Sequence, residues 1–339
     1  MKSLFDISWQ VDEPTYRADE ALSYSILSKF DREGFKAIPT LFDPISTPSL
    51  LFGSLVDTLL TNPSKFSEEF IIVSEVNISD SVKTVLEDIY AITKQKSLVD
   101  VPEEVIHHCC KKNNYYIDDK WAAKRKKEIL LGVHYYNLLH KCEGKKVISK
   151  ELYDEALACK KALCTNPETA KYFIPDPEGK YENFYQLKFK GEYSEVKLRC
   201  MFDCLHVDYE NKIITPVDLK TTSKMEYEFP QSFITYRYGI QAQLYYYLLT
   251  SILKKDEFFK EFKVEPFKFV VINKDSLLPL VWEFKQTSNE GYTLGEYTFK
   301  SWTNLALELD YYLKNKPKLP TWVKSTNNLE DYFKINKQC

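Results

Sequence analysis

A carboxylate and an ammonium lie two positions apart in the stretch TPVDLKTTSK, at Asp218 and Lys220. The residues before them are apolar and β-branched, which predicts a strand. Side chains two positions apart on a strand point to the same face of the sheet, so Asp218 and Lys220 project together. Such a pair can belong to a catalytic site, or it can be two charges on the surface of an ordinary strand.

A second carboxylate, Asp203, interrupts the apolar run MFDCLHV of the preceding predicted strand. A tight turn at residues 209–212, with Glu210 and Asn211 as its loop, would join the two strands. In that register Asp203 lies directly opposite Asp218, with Cβ atoms about 5 Å apart. A bulge or a slip of one residue would destroy the arrangement, so the inference depends on the register.

Two opposed carboxylates on one face of a sheet repel each other unless a positive charge lies between them. A divalent cation such as Mg²⁺ or Mn²⁺ suits hard oxygen ligands of this kind. Lys220 beside them would stabilise developing negative charge or orient an attacking water, which is the chemistry of metal-assisted phosphodiester hydrolysis. In the alternative interpretation, Asp203 and Asp218 face solvent and pair with nearby lysine and arginine side chains.

The spacing of Asp218 and Lys220 is not informative alone, because an acid two residues before a lysine occurs at least eight times in the chain. The strongest rival is Glu283-Phe284-Lys285, which also lies on a predicted strand. Its predicted partner strand, KFVVINK, has no carboxylate within its apolar run. Context therefore favours the pair at Asp218 and Lys220.

The elements that must position these residues fall into two parts. The first two-thirds of the chain has mostly helical spacing, with one short strand at 70–75. The predicted helices are 23–33, 48–60, 80–96, 102–112, 119–142 and 149–164, and the helix at 48–60 opens on Thr47 and Pro48, a capping residue followed by proline.

The second part alternates strands and helices. Strands are predicted at 182–190, 194–207, 212–221, 265–274 and 278–285, and helices at 230–253 and 297–313. This order predicts an α/β core with a mixed central β-sheet flanked by helices, plus an N-terminal helical elaboration.

Composition is that of an ordinary globular protein, with 44% hydrophobic and 28% charged residues. The net charge of −3 excludes a polycation, so nucleic acid would have to be bound by a local basic surface. Lysine-rich runs at 111–112, 124–127, 145–146 and 160–161 could line a basic channel, or they could be solvated helix faces. The N-terminus turns acidic quickly and no apolar run reaches the roughly 18–20 residues of a membrane span, so a cytosolic setting is expected.

Eight cysteines are present and none forms a CxxC pair, which disfavours a zinc ribbon or an iron–sulfur cluster. The run His107-His108-Cys109-Cys110 has metal-ligating residue types. Four adjacent residues on a helix point in different directions, so they cannot all reach one ion. Reduced thiols within a helix are the prediction for this run.

The acid on one strand and the D-x-K on the next resemble the PD-(D/E)XK nuclease superfamily, and further motifs resemble its RecE (exodeoxyribonuclease VIII), AddB and RecB-like exonuclease branch. SYSILSKF (23–30) is similar to the short serine-rich helix with which that branch begins. LFGSLVDTLLTNPSKF (51–66) is similar to its G-x-x-x-H helix, with Gly53 at the glycine and Asp57 where the family usually has histidine.

After the D-x-K strand the family has a helix with Q-x-x-x-Y, and YGIQAQLYYY (238–247) supplies Gln241 and Tyr245 on one helix face. The family often has a glutamate upstream of the first aspartate, for which Glu182 is the best candidate. The resemblance touches residues 23–66 and 182–247, and the order of its motifs is more specific than any one of them.

The resemblance implies a restriction-endonuclease-like fold and a set of roles. Asp203 and Asp218 would bind one or two Mg²⁺ or Mn²⁺ ions with the backbone carbonyl of Leu219, and Lys220 would position or activate the attacking water. Gln241 and Tyr245 would orient the lysine or contact the scissile phosphate. Asp57 and Glu182 are the further implied metal ligands.

The resemblance also implies a division into a mainly helical part, 1–178, which contributes the Asp57 helix, and a nuclease core, 179–339. The expected activity is that of a metal-dependent DNA exonuclease of phage or bacterial type, used in recombination, replication or repair. Its expected partner is DNA, either a duplex with ends or a single strand, without a membrane. A homo-oligomer and a single-strand annealing or recombination partner protein fit the same branch.

Two alternatives stay open on the sequence. The change from histidine to aspartate at Asp57 could mark a catalytically inactive PD-(D/E)XK-like protein that binds DNA or serves in assembly. An endonuclease with the same site is the other alternative, because dependence on DNA ends comes from overall shape and not from these motifs.

Overall fold

The structure is a computed structural model that describes residues 2–44, 46–73, 78–95, 97–142 and 144–316. Its strands are β1 Phe70–Val73, β2 Lys146–Ser149, β3 Tyr181–Tyr193, β4 Val196–Asp208, β5 Ile213–Thr222, β6 Lys263–Val264, β7 Phe267–Asn273, β8 Pro279–Phe284, β9 Tyr292–Leu294 and β10 Tyr297–Phe299. Its α-helices are α1 Glu13–Ala18, α2 Tyr24–Glu33, α3 Pro48–Thr61, α4 Phe66–Glu69, α5 Asp80–Thr93, α6 Glu103–Lys112, α7 Ala122–Leu131, α8 Val133–Lys141, α9 Lys150–Thr165, α10 Ala170–Phe173, α11 Phe229–Tyr236, α12 Tyr238–Leu253 and α13 Trp302–Asn315.

A central mixed sheet has the strand order β3-β4-β5-β7-β8, and β6 extends the pairing of β5. Only the β5–β7 and β5–β6 pairs among these are parallel, and the other pairs are antiparallel. β7 is almost continuously apolar, as expected of a strand that is covered on both faces. The mixed α/β sheet flanked by helices that the sequence predicts is confirmed, with all five predicted core strands present.

Helices cover both faces of this sheet. One hydrophobic cluster includes α2, α12 and α13 residues such as Leu27, Leu248 and Trp302, packed against inward side chains of β3 and β4. A second cluster lies on the other face, where Leu55 of α3 and Cys159 of α9 pack against Val217 of β5. The sheet therefore presents its two faces to two separate helical layers.

The predicted division at 178–179 is not matched by a division of the core. Leu22 and Leu27, from the N-terminal part, belong to the same buried cluster as Phe202 and Leu244. The two parts of the chain thus share one core, and the domain boundary itself stays a prediction. Residues 317–339 of the predicted nuclease core lie outside the described residues.

Helices α5 to α8 form a helical lobe between β1 and β2, which pair in parallel. The lobe has its own hydrophobic core, which includes Leu86, Ile129 and Tyr136. Cys109 and Cys110 are buried, free thiols of α6 in this core. The prediction of reduced thiols within a helix is confirmed for this run.

Three helix predictions were wrong in detail. The helix predicted at 230–253 is two helices, because Arg237 between α11 and α12 adopts a left-handed conformation with φ 61°. The helix predicted at 119–142 breaks at Gly132, where a Cβ atom would lie 2.3 Å from the Leu86 side chain. The last helix begins at Trp302 and not at Tyr297, because Tyr297–Phe299 pairs with β9 as a strand. Within the described ranges, no helix combines the length and the apolar character needed to cross a membrane.

His206 of β4 gives the fold a pH dependence. Its Nδ1 donates to Asn183 Oδ1 over 2.8 Å, and burial lowers the pKa of His206 to about 4 from 6.5. Between these values the folded protein binds fewer protons than the unfolded chain, so the free energy of unfolding falls as the pH falls. We expect a loss of about 2 to 3 kcal/mol between pH 6.5 and pH 4 from this residue.

Urea unfolding of the wild type and of His206→Gln across this range measures the effect. Glutamine keeps a neutral donor for Asn183 but does not titrate, so the variant should lose less stability on acidification. Identical pH dependence of the two proteins would contradict the prediction.

Candidate active site

The register predicted for the two central strands is confirmed. β4 and β5 pair from Cys204 with Val217 through Asp208 with Ile213. Asp203 and Asp218 are the next positions in this register. The Asp203 carboxylate approaches β5, because its Oδ2 accepts a hydrogen bond from the Leu219 backbone N–H at 2.9 Å.

Asp218 is 3% exposed and is held by two side chains. Its Oδ2 lies 2.7 Å from Lys220 Nζ, which confirms that the two side chains project together. Its Oδ1 accepts a hydrogen bond from Gln241 Nε2 at 2.5 Å, and Gln241 Oε1 accepts one from Lys220 Nζ at 3.2 Å. Strand β5 and helix α12 thus build a closed Asp–Lys–Gln triangle.

Helix α3 brings a third carboxylate, Asp57, close enough to Asp218 for the two to repel each other. Thr47 caps the helix by accepting a hydrogen bond from the Leu50 backbone N–H, and Pro48 is its first residue. The helix crosses β5 closely at Gly53, where a Cβ atom would lie 3.3 Å from Thr221 Oγ1. A larger side chain there would push α3, and Asp57 with it, away from β5.

Gln186 of β3 is a site residue that sequence reasoning missed. Its Nε2 donates to Asp57 Oδ2 at 2.6 Å, and its backbone is left-handed with φ 55°. Non-glycine residues rarely adopt this conformation within a strand. Gln186 lies opposite Asp203 in the register of β3 and β4, so the strained position and the first aspartate meet at one point of the sheet.

A sequence signal for this position exists. Inward side chains of one face recur every second residue in β3 and β4, except that Phe184 is followed by Leu187 and Phe202 by Leu205. Both strands therefore shift their alternation by one residue at the same place, at Gln186 and at Asp203. Matched irregularities of this kind in adjacent strands mark points where a sheet re-aims side chains.

Burial and neighbouring carboxylates raise the pKa of Asp57 and of Asp203. Burial, together with the negative charges of Glu13 and Asp218, raises the pKa of Asp57 to about 7. Burial also raises the pKa of Asp203 well above its usual range, with added repulsion from Asp218 and Asp57. The protons that such carboxyls retain would be displaced by a bound cation.

Lys220 remains a cation in this surrounding. Burial alone would lower its pKa, but the Asp218 carboxylate opposes that effect, and the net pKa is raised. The Lys220 ammonium also lies 4.5 Å from the centroid of the Tyr238 ring. Tyr24 of α2 is close enough for the lysine to influence its pKa, which burial raises. Tyr238 and Tyr24 are therefore neighbours of the site. Neither is one of the two residues, Gln241 and Tyr245, that the Q-x-x-x-Y motif indicates.

Of the other predicted site residues, Glu182 lies apart from the carboxylates, and Tyr245 lies near Asp203 and Asp218 but within the core. Glu182 is exposed, pairs across the sheet with Val207, and accepts a hydrogen bond from Tyr209 at 3.0 Å. It is four residues along β3 from Gln186, about 13 Å at strand spacing, so the structure does not bring it to the carboxylates. Tyr245 is 7% exposed, and its ring packs on Phe202 in the core, where a substrate phosphate has no access.

The rival pair also lies apart from any acidic cluster. Glu283 is on β8 and Lys285 follows it, with 79% of the Lys285 side chain exposed. Glu283 faces Lys268 across the β7–β8 pair, at 4.0 Å. This is an exposed charge network on the sheet, and it provides a matched control for the buried pair at Asp218 and Lys220.

A divalent cation fits the chemistry of the buried cluster. One buried carboxylate oxygen, Asp57 Oδ1, accepts no hydrogen bond from the described residues, and Asp218 Oδ2 has only its ion pair with Lys220. The donors are hard oxygens, which suit a divalent cation. As the side chains stand, no three histidine, cysteine or acidic residues among those described form a metal-binding group. Binding would therefore use Asp57 Oδ1 and require the Asp218 carboxylate to turn from Lys220, while Asp57 Oδ2 stays hydrogen-bonded to Gln186.

Replacing Gln186 with Met should weaken metal binding and leave the fold intact. Methionine has a similar length but no amide, so Asp57 Oδ2 loses its donor and the carboxylate is no longer held in place. We expect a three- to tenfold higher Kd for Mn²⁺, about 1 kcal/mol, by calorimetry. Gln231→Met, at an exposed glutamine of α11, is the control, and an unchanged Kd in Gln186→Met would remove this residue from the site.

Known proteins with a detectable similarity to this chain are few and distant. No protein-family model matches the chain, and no curated protein matches it. A similar solved structure is the crystal structure from Eubacterium rectale named "Putative exonuclease". The similarity covers 91% of this chain and 85% of that one, with a TM-score of 0.42 and 13% sequence identity. The name describes that protein.

Proposed function

We propose that the chain is a metal-dependent deoxyribonuclease that acts as an exonuclease. The observation that carries the proposal is that Asp203 and Asp218 lie near each other beside the half-buried Lys220, with Asp57 close enough to repel both carboxylates. Opposed, mutually repelling carboxylates beside an ammonium are poorly explained as scaffolding, because an all-apolar replacement would avoid their burial. The resemblance to PD-(D/E)XK nucleases supplies DNA as the expected substrate.

In this proposal Asp203 and Asp218 hold Mg²⁺ or Mn²⁺, with Asp57 as a third carboxylate. The N–H and C=O of a strand residue face the same neighbouring strand, so the Leu219 carbonyl faces the side where Asp203 contacts its amide. It is the backbone ligand of the proposal. The bound ion would polarise the phosphate and lower the pKa of a water.

Lys220 has the role of a cation and not of a base. Its raised pKa keeps the ammonium charged, so it can orient the attacking water and stabilise negative charge on the phosphate. Gln241 holds both Lys220 and Asp218, which fixes the ammonium relative to the carboxylate. Gln241 therefore positions the other two, while Tyr245 supports the fold of α12 from the core.

Two other functions stay as alternatives within the same test. The complete set of Asp203, Asp218 and Lys220 weighs against an inactive DNA-binding or assembly protein. An endonuclease would use the same residues. A homo-oligomer and an annealing or recombination partner protein stay predictions.

The test incubates linear and circular duplex DNA with Mg²⁺, Mn²⁺ or EDTA, and compares the wild type with Asp218→Ala. Metal-dependent loss of linear DNA alone, absent in the variant, supports an exonuclease. Nicking of circles would indicate the endonuclease. Absence of hydrolysis with either metal, together with retained DNA binding, would indicate the inactive alternative.

A further inference from the structure

The helical lobe carries a cluster of exposed aromatic and basic residues at the start of α7. Trp121 is 41% exposed, and its ring lies 6.0 Å from that of Tyr116. Lys124 Nζ lies 5.5 Å from the Trp121 ring centroid and 5.0 Å from that of Tyr116. Lys120 Nζ lies 5.7 Å from the Trp121 ring on the same cluster. We refer to Tyr116, Lys120, Trp121 and Lys124 as the lobe cluster.

A buried arginine side chain supports the lobe cluster. Arg125 is 3% exposed and its Nη1 donates to the Tyr116 carbonyl at 2.8 Å. Tyr116 itself has a left-handed backbone with φ 44°. The buried Arg125 thus fixes the strained turn at Tyr116. This turn holds the rings of Tyr116 and Trp121 at the surface. Such a strained and over-determined turn is typical of a binding surface.

The positive charge of this surface is only partly compensated, by Asp118 beside Lys120 and by Glu128, whose charge acts on Lys124. Among ion pairs of the described side chains, Lys120 has Asp118 as a partner at 2.9 Å, while Lys124, Lys126 and Lys127 have none. In contrast, the other lysine runs have members that are engaged locally. Lys112 pairs with Asp88, Lys146 donates to Ser54, and Lys160 donates to the Leu59 carbonyl.

We infer that the lobe cluster binds single-stranded DNA. Every base has a π-face that can stack on an exposed indole, and ammonium groups beside the ring can contact the adjacent phosphates. Apolar partners would be disfavoured by the four lysines within 120–127, and a duplex does not expose its base faces. The choice of DNA over RNA rests on the proposed nuclease function.

The lobe emerges next to the candidate active site. Lys146, at the start of β2, donates to Ser54 of α3, three residues before Asp57. Val147 of the same strand packs against the lobe core. A single DNA strand bound on the lobe cluster would thus be held by the helical lobe, which is anchored to α3, the helix that carries Asp57.

The test measures binding of a fluorescent oligothymidylate of about 20 nucleotides in EDTA, by anisotropy. The double variant Trp121→Ala/Lys124→Ala should bind at least about tenfold more weakly. The slope of its log binding constant against log salt concentration should be smaller by about one, because one phosphate contact is lost. Trp121→Phe should retain most of the affinity, because phenylalanine still stacks. The matched control is Tyr311→Ala/Lys314→Ala, an exposed aromatic and lysine at the same spacing on α13.

Unchanged binding by the double variant, or an equal loss in the control, would overturn the inference. Tighter binding of oligouridylate than of oligothymidylate would overturn the assignment to DNA. Because EDTA prevents metal-dependent hydrolysis, the result does not depend on nuclease activity. Nuclease activity and binding of single-stranded DNA by the lobe cluster are therefore tested independently, and either proposal can be contradicted without the other.

Discussion

Asp218→Asn should abolish metal-dependent cleavage of linear DNA and leave the protein folded. The substitution keeps the size of the side chain and an oxygen for Gln241, but removes the charge that faces both Lys220 and the proposed cation. Loss of several kcal/mol of stabilisation of the transition state corresponds to a decrease of about 10³-fold in rate. Initial rates on end-labelled duplex DNA, with Mg²⁺ and with Mn²⁺, measure it.

Thermal unfolding provides a second readout for Asp218→Asn. A cation that binds the folded state raises the Tm of the wild type, and this shift should vanish in the variant. In the metal-free protein the Tm should change little, because the lost ion pair is offset by less repulsion among the carboxylates. Glu283→Gln on β8 is the control. An Asp218→Asn protein with more than about a tenth of the wild-type rate would remove this residue from the metal site.

Lys220→Met should also abolish cleavage, but with the opposite pattern in metal binding. Methionine fills a similar volume without a charge, so Asp218 is left buried without its ion-pair partner. Breaking a buried pair in this way lowers the free energy of unfolding by about 3 kcal/mol or more in the metal-free protein. Because a divalent cation can replace the lost ammonium, Mn²⁺ affinity should be retained or increased.

Urea unfolding with EDTA and with saturating Mn²⁺ separates these effects. The metal should restore more stability to Lys220→Met than it adds to the wild type, while the rate on DNA stays about 10²- to 10³-fold lower. Lys285→Met, which removes a highly exposed lysine two residues after an acid, should change neither quantity. Weaker Mn²⁺ binding by Lys220→Met would contradict this prediction. It would mean that the lysine fixes the positions of the carboxylates and does not only neutralise their charge.

The central part of the site could be predicted from the sequence because it depends on local rules. A short turn at residues 209–212 sets the register of β4 and β5, and the register brings Asp203 to Asp218. The spacing of two residues on one strand brings Lys220 to Asp218. Gln241 required the resemblance, and the structure places its amide on both Asp218 and Lys220.

The remaining errors have physical causes. Glu182 was placed by loose spacing along a long strand, and an error of four residues moves a side chain by about 13 Å. Tyr245 shares a helix face with Gln241, but it lies one turn farther along α12, where the face meets the core. Gln186 was missed because its role depends on a left-handed residue inside a strand, which propensity does not predict.

The parallel pairing of β1 with β2 has a consequence for how the protein can evolve. A parallel pair cannot be closed by a tight turn, so the chain must leave the sheet layer and return over a long path. Lengthening such an excursion adds only a small, logarithmic entropy loss. The segment between Val73 and Lys146 can thus accept inserted sequence without disturbing the central sheet.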